Sequence, residues 1–259
     1  MHVHLVPFHL SILLLAFGLA AGFVDAAVGG GGLIAVPGLL FVGLPPALAL
    51  GTNKFGGTLG AVTSAVSYAV SGRVHRRMAL TLAPLSLAGS VLGALLVHHL
   101  PSGFLKPLVL VLLVAVTAYT AIRKDAGRVA RYQGLSVRAR WLLPPAALGI
   151  GFYDGFFGPG TGSFLIMVFL LTGFDFVTAS GNAKVLNLAS NLGALCTFFA
   201  LHAVDYAAGA VLAAAMMAGA AAGSQVAIRK GAAYLRPLFI GMTSLLVLHQ
   251  AWVWWAARG

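Results

Sequence analysis

Two aspartates and two lysines stand where an apolar chain can least tolerate charge. Asp25 lies in the stretch GFVDAAVGGGGL, from Gly22 to Leu33, and Asp154 in GFYDGFFGPGTGS, from Gly151 to Ser163. Each stretch puts a carboxylate and then a glycine-rich break inside what would otherwise be a membrane helix. They are two of only five Asp and Glu residues in the chain, and an ionised group at mid-bilayer costs at least a few kcal/mol unless it is paired. Lys54 and Lys184 occupy matched positions further along, in Gly51-Thr52-Asn53-Lys54 and Gly181-Asn182-Ala183-Lys184. The simplest neutralising arrangement pairs each aspartate with the lysine of its own half, Asp25 with Lys54 and Asp154 with Lys184.

The chemistry this residue set suits is anion recognition. Both lysine segments resemble helix starts, where free N–H groups and the macrodipole favour negative charge. The half-helices expected to resume after Gly32 and Gly162 would present the same kind of end. Four positive helix ends, Asn53 and Asn182 as donors, and two lysines would then surround a small solute with several acceptor oxygens. Gly29, Gly30, Gly31 and Gly32 in one break, and Gly158, Pro159, Gly160, Thr161 and Gly162 in the other, permit a tight turn and close approach of a ligand. Asp25 and Asp154 would couple transport to protons or hold the broken turns. Two membrane aspartates also raise an intramembrane aspartyl protease, but that chemistry needs two carboxylates sharing a proton. Matched lysines and the lack of a Gly-x-Gly-Asp sequence argue against it. The chain has no P-loop sequence, no glutamate and no cluster of His, Cys and carboxylates, so neither a cofactor nor a metal is expected.

The elements that must position these residues follow from composition. Of 259 residues, 60% are hydrophobic and 8% charged, with a mean hydropathy of +0.97, far from a soluble domain. The chain reads as an all-α polytopic membrane protein with no separate soluble domain. The formal net charge of +11 sits mostly in short loops between apolar runs, as membrane topology requires, so nucleic acid is excluded as a partner and the lipid bilayer is the expected one. Cys196 is the single cysteine and excludes an intrachain disulfide; its apolar neighbours suggest packing. A secretory signal at the N-terminus is rejected, because cleavage there would destroy one copy of the repeated break.

An internal repeat covers nearly the whole chain. Asp25 matches Asp154, and a spacing of 130 pairs Gly51 with Gly181, Lys54 with Lys184, Gly89 and Gly93 with Gly219 and Gly223, and Leu105-Lys-Pro-Leu with Leu235-Arg-Pro-Leu. Residues 1–122 form a first membrane repeat, 123–140 a basic cytoplasmic linker, and 141–259 a second repeat. Each repeat is a broken helix hairpin followed by three transmembrane helices. The basic loops swap position between halves: Arg73, Arg76 and Arg77 follow the second helix of the first half, whereas Arg229, Lys230 and Arg236 follow the third of the second half. Placing all of them on the cytoplasmic side requires inverted repeats with both termini outward, the alternative being parallel halves with a singly crossing broken block. Gly89, Gly93, Gly219 and Gly223 read as packing residues between helices. His98, His99 and His202 read as solvated helix-end residues, and Tyr68 and Phe198 as core.

The GF-x-D sequence with its glycine-rich break in each half, the GPGTG of the second copy and the TNK and NAK segments resemble the sulfite exporter TauE/SafE family. The resemblance runs from about Gly18 to the end of the chain and is most specific in GFYDGFFGPGTGS. It implies a multi-pass permease of the bacterial inner membrane, linked to sulfite, sulfonates and related organosulfur anions. Its motif positions here are Asp25, Gly29 to Gly32, Asn53, Lys54, Asp154, Gly158, Pro159, Gly160, Asn182 and Lys184. The expected function is therefore secondary transport of a small anion by alternating access around a midplane site made by two broken helices, without catalysis. An anion channel of the same architecture is the alternative. Which anion is carried, the direction, the coupling ion and the oligomeric state are not encoded in these motifs.

Overall fold

A computed structural model describes residues 8–101, 103, 104, 108, 111, 112 and 137–256. The elements are α1 (Phe8–Val28), α2 (Gly32–Phe41), α3 (Pro46–Val70), α4 (Arg76–His98), α5 (Val137–Phe156), α6 (Thr161–Leu171), α7 (Phe176–Ala200) and α8 (Tyr206–Ala256), the last turning at Gly231. The protein is thus an all-helical, polytopic membrane protein, with four helices long and apolar enough to cross a bilayer among the described residues. Val66, Val70, Leu80 and Leu92 are exposed on its outside, as side chains facing hydrocarbon rather than water would be. His2, His4, residues 105–107, 109, 110 and 113–122 of the first repeat and residues 123–136 of the basic linker lie outside the described residues. So do the side chains of Trp252, Trp254 and Trp255.

The two interrupted helices form as the sequence dictates. α1 ends at Val28 because Gly29 takes φ +81, a left-handed conformation open to glycine at little cost, and its N–H closes back on the Asp25 carbonyl at 2.9 Å. In the second copy Gly158 and Gly160 take φ +95 and +85. α2 and α6, of 10 and 11 residues, reach only about 15 Å each, half of a hydrocarbon core. Each doubles back on the helix before it: Gly31 lies against Asp25, and Gly38 against Phe17.

The long helices then interlock by exchange. α1 lies along α8, Gly22 on Met216 and Phe23 on Gly223, and α4 lies along α5 in the same way, Ser86 on Gly151 and Ser90 on Gly155. A Cβ at Gly219 or Gly223 would strike the Leu19 or Phe23 carbonyl, and one at Gly89 or Gly93 the Leu148 or Phe152 carbonyl. These four glycines let backbones touch where lipid offers no hydrophobic drive for association. Contacts in rising order show that α3 runs beside α8 in the same sense, Phe55 meeting Gly209 and Gly60 meeting Met216. Against α7 it runs oppositely: Gly51 meets Phe198, Gly57 meets Asn191, and Tyr68 meets Gly181. α4 follows α7, with Ser86 and Ser90 hydroxyls donating to the Leu186 and Ser190 carbonyls. So α1, α3 and α8 point one way and α4, α5 and α7 the other.

Tyr68 and Phe198 are buried in two of the apolar clusters, and the Tyr68 hydroxyl donates to the Ala26 carbonyl at 3.0 Å. Cys196 departs from the packing role expected of it. It is exposed on an apolar groove between α4 and α7, because it falls on the outward face of α7 opposite Ala194 and Leu195.

Asp175 caps α7, accepting at 3.0 Å from the N–H groups of both Val177 and Thr178. Partial burial alone would raise its carboxyl, but hydrogen bonds from Thr178 and Val177 and the nearby Arg73 charge outweigh that and hold it below the ordinary carboxylate range. A carboxylate depressed in the native state stabilises the fold above the unfolded-state value and loses that contribution as pH falls through the native one. Asp175→Ala should therefore cost about 1 kcal/mol at neutral pH, seen as a lower Tm in detergent, with the gap to wild type closing in acid.

Candidate functional site

The two breaks meet. Ser163 N–H donates to the Gly29 carbonyl at 3.2 Å and its hydroxyl to the Val28 carbonyl at 2.9 Å. A Cβ on Gly29 would land in the backbone of Gly162 and Ser163, and one on Gly32 would sit 2.9 Å from Pro159 Cα. The glycines of one break are thus small enough for the other break to rest on them. This contact brings the first turns of α2 and α6 to one place, where the break carbonyls take up most of their opening N–H groups, Leu33 on Gly30, Ile34 on Gly31, Thr161 on Gly158 and Ser163 on Gly29 and Gly160, and leave those of Gly32 and Gly162.

Beside that crossing lie two buried ion pairs. Lys54 Nζ is 2.7 Å from Asp154 Oδ1, and Lys184 Nζ is 2.7 Å from Asp25 Oδ2. Both lysines are buried, and each stands near the C-terminal end of a broken helix, where the dipole favours a cation and opposes the carboxylate alone. The pairing is between halves, which corrects the expectation of Asp25 with Lys54 and Asp154 with Lys184. A duplicated sequence requires both pairs to be of one kind but leaves open which kind. The meeting of the breaks decides it, by turning each aspartate toward the other half.

A second correction concerns the lysine segments. α3 starts at Pro46 and α7 at Phe176, so Asn53, Lys54, Asn182 and Lys184 sit about two turns inside their helices and their N–H groups belong to the helix ladder. Two helix ends converge, not four. The residues that read as caps do bond to helix starts, but to those of other helices. Asn182 Oδ1 accepts from the N–H of His75, the cap of α4, at 2.7 Å, and the matched Thr52 Oγ1 accepts from Asp205, just before α8, at 2.9 Å. Asn182 therefore holds the start of α4 and lies away from the crossing.

A cavity of about 20 Å³ lies at the crossing, lined by Asp25, Gly29, Gly32, Asn53, Lys54, Gly57, Asp154, Gly158, Gly160, Thr161, Gly162, Asn187, Asn191 and Met216. It has room for about one water. Gly30, Gly31, Pro159 and Lys184 stand behind this lining: Gly31 N–H reaches Asp25 Oδ1 at 3.3 Å, Lys184 holds the other oxygen, and the Pro159 carbonyl accepts from the Tyr153 hydroxyl at 2.6 Å. Asn53 is buried in the lining with an amide oxygen that has no partner. Each aspartate belongs to its own lysine, so the shared-proton carboxylate pair of an aspartyl protease is not formed. No group of three or more His, Cys, Asp or Glu that could hold a metal occurs among the described residues.

Asn187, Ser190 and Asn191 were not singled out from the sequence, and they shape the site. Ser190 Oγ donates to Asp154 Oδ2, Asn187 Nδ2 approaches the same oxygen at 3.5 Å, and Asn191 Nδ2 donates to the Asn187 carbonyl at 2.8 Å. A signal was available. Lys184, Asn187 and Asn191 fall at i, i+3 and i+7, a stripe of large polar side chains on a membrane helix. The matched positions of the first half are Gly57, Gly60 and Ala61, so the repeat breaks its symmetry here.

Interrupted helices crossing in the middle of a multi-pass protein, beside buried ion pairs and a polar cavity, define the membrane transporter class. The chain belongs to the sulfite exporter TauE/SafE family, which it matches over residues 14–249. It is 38% identical over 247 residues to a Sinorhizobium protein named "Probable membrane transporter protein ORF9", covering 94% of this chain and 93% of that one. A Haemophilus influenzae "Probable membrane transporter protein" is 36% identical, with 93% and 95% covered. "Probable membrane transporter protein YfcA" of Escherichia coli K12 is 33% identical, with 87% and 84% covered. No solved structure matches.

Proposed function

We propose that this protein is a secondary transporter of a small oxyanion of the sulfite, sulfonate or related organosulfur class, working by alternating access in the bacterial inner membrane and catalysing no reaction. The observation that carries this reading is the crossed pairing: two half-helix N-termini and Lys54 at one cavity, with Lys184 just behind its Asp25 wall, each lysine held by a carboxylate of the other half. An oxyanion offers a lysine what the carboxylate offers, with oxygens to spare for the Gly32 and Gly162 N–H groups at the α2 and α6 starts. Asn53 strengthens the fit, because its amide has an unmet hydrogen-bonding group that a protonated oxyanion satisfies directly, or any oxyanion once the amide is turned over.

Residues 1–122 and 141–259, joined by the basic cytoplasmic segment 123–140, act as inverted-topology halves in this reading. The matched helices α1 and α5, α3 and α7, and α4 and α8 run in opposite senses, which supports inversion over parallel halves. The breaks then enter from opposite leaflets. Both ion pairs bridge the halves, so rocking one half against the other exchanges carboxylate for solute on a lysine. A cavity of about 20 Å³, with room for about one water, favours a carrier that must rearrange to admit its solute over a standing channel.

A binding screen on the purified protein tests this, with sulfite, sulfate, thiosulfate, methanesulfonate and acetate as probes and Tm as readout. Ligand at about 100 times its Kd stabilises by about 2.7 kcal/mol, so at least one sulfur oxyanion should raise Tm and acetate should not. A screen in which no sulfur oxyanion raises Tm refutes the reading.

A further inference from the structure

The two ion pairs look equivalent by sequence, but their surroundings differ. Asp154 has a side chain 2% exposed and is held by Lys54 and by Ser190, with Asn187 close to the same oxygen. Asp25 has a side chain 15% exposed, takes its side-chain bond from Lys184, and meets the Gly31 N–H only at 3.3 Å. Where Asn187 and Ser190 brace Asp154, the first half offers Gly57 and Gly60.

The site is charge-balanced, with two lysines against two aspartates. An oxyanion that takes one lysine leaves a carboxylate unpaired in a dry interior, which is strongly unfavourable unless that carboxylate is neutralised. Asp154 would keep Ser190 and Asn187 if Lys54 left it. Asp25 would keep one long backbone contact, and it is the carboxylate with access.

We infer that Asp25 is the proton-binding residue of this carrier: it takes up a proton when Lys184 transfers to the oxyanion, while Asp154 stays ionised as the fixed anchor of the second break. This rests on the transporter reading above. In the step, a proton from the aqueous phase adds to an Asp25 carboxylate oxygen, and the Lys184 ammonium, keeping its three protons, exchanges Asp25 Oδ2 for an oxygen of the solute. Lys184 from α7 and Tyr68 from α3 are the titratable groups facing Asp25. α2 and α6 carry none, and the α8 residues opposite α1, Leu212 to Gly223, are all apolar or small. Among the described residues, only Lys54 and Asp154 of the titratable groups stand across the cavity, already paired.

Two measurements test the inference. The first is an infrared pH titration of the purified protein without solute, following the protonated carboxyl band. Asp25→Asn should remove a component of wild type that Asp154→Asn leaves in place, and Asp25→Glu should retain it at a shifted frequency. A component lost with Asp154→Asn and kept in Asp25→Asn overturns the assignment. The second is sulfite flux into proteoliposomes with simultaneous recording of internal pH. Counted beyond the proton that bisulfite itself brings, wild type should move about one proton per sulfite and Asp25→Glu should keep that ratio, whereas any sulfite moved by Asp25→Asn should bring only the proton of bisulfite. Sulfite flux in Asp25→Asn that still carries the further proton overturns the assignment while leaving the transporter reading intact. A titrating Asp25 in a wild-type protein that moves no sulfite supports the assignment and overturns the transporter reading for that solute.

Discussion

Lys54→Met should destabilise the folded protein by about 3–5 kcal/mol, because it strands Asp154 in an interior where that carboxylate is 2% exposed. Adding Asp154→Asn should return most of that loss, since an isosteric amide can still bond to Ser190 and no charge is left behind. Adding Asp25→Asn instead should make matters worse by stranding Lys184 as well. The double-mutant cycle, read from thermal or denaturant unfolding in detergent, thus distinguishes exchange of partners between halves from pairing within a half. Coupling between Lys54 and Asp154 is expected, and between Lys54 and Asp25 almost none.

Gly29→Ala should be nearly as costly, about 2–5 kcal/mol, from two sources. An L-residue at φ +81 costs roughly 1–2 kcal/mol, and the added Cβ must push apart the two breaks, whose backbones touch at Gly29, Gly162 and Ser163. Gly43→Ala separates the two terms. Gly43 has φ +93 but an added Cβ meets nothing within 4 Å, so only the backbone term of roughly 1–2 kcal/mol applies. A Gly29→Ala loss no larger than that of Gly43→Ala would show that the breaks do not rest on one another.

Much of this architecture is legible before any coordinates. Apolar runs interrupted at Gly29 and Gly158 give the half-helices, because only glycine readily takes a left-handed turn there. The recurrence of Asp, Lys and paired glycines gives the repeat, and Gly89, Gly93, Gly219 and Gly223 announce close backbone contacts that the helices α1, α4, α5 and α8 make. What the sequence leaves open is whatever a two-fold relation leaves open. Matched positions are the same whether Asp25 finds Lys54 or Lys184, and only the contact of Gly29 with Gly162 selects between them. The helix starts are illegible for a different reason. Thr52 and Asn182 are residues that bond to exposed N–H groups, and sequence alone does not say that those groups belong to Asp205 and His75 of neighbouring loops. Asn187, Ser190 and Asn191 are not legible from the repeat, because the matched residues Gly57, Gly60 and Ala61 share none of their polar groups.

The most direct test of the account is counterflow of radiolabelled sulfite in proteoliposomes, comparing wild type with the Lys184→Met/Asp25→Asn double variant, whose fold is first verified by its Tm. Wild type should accumulate label transiently above equilibrium against an unlabelled internal pool, and the folded double variant should not. Equal counterflow in both proteins would contradict an anion site at the crossing of the two breaks.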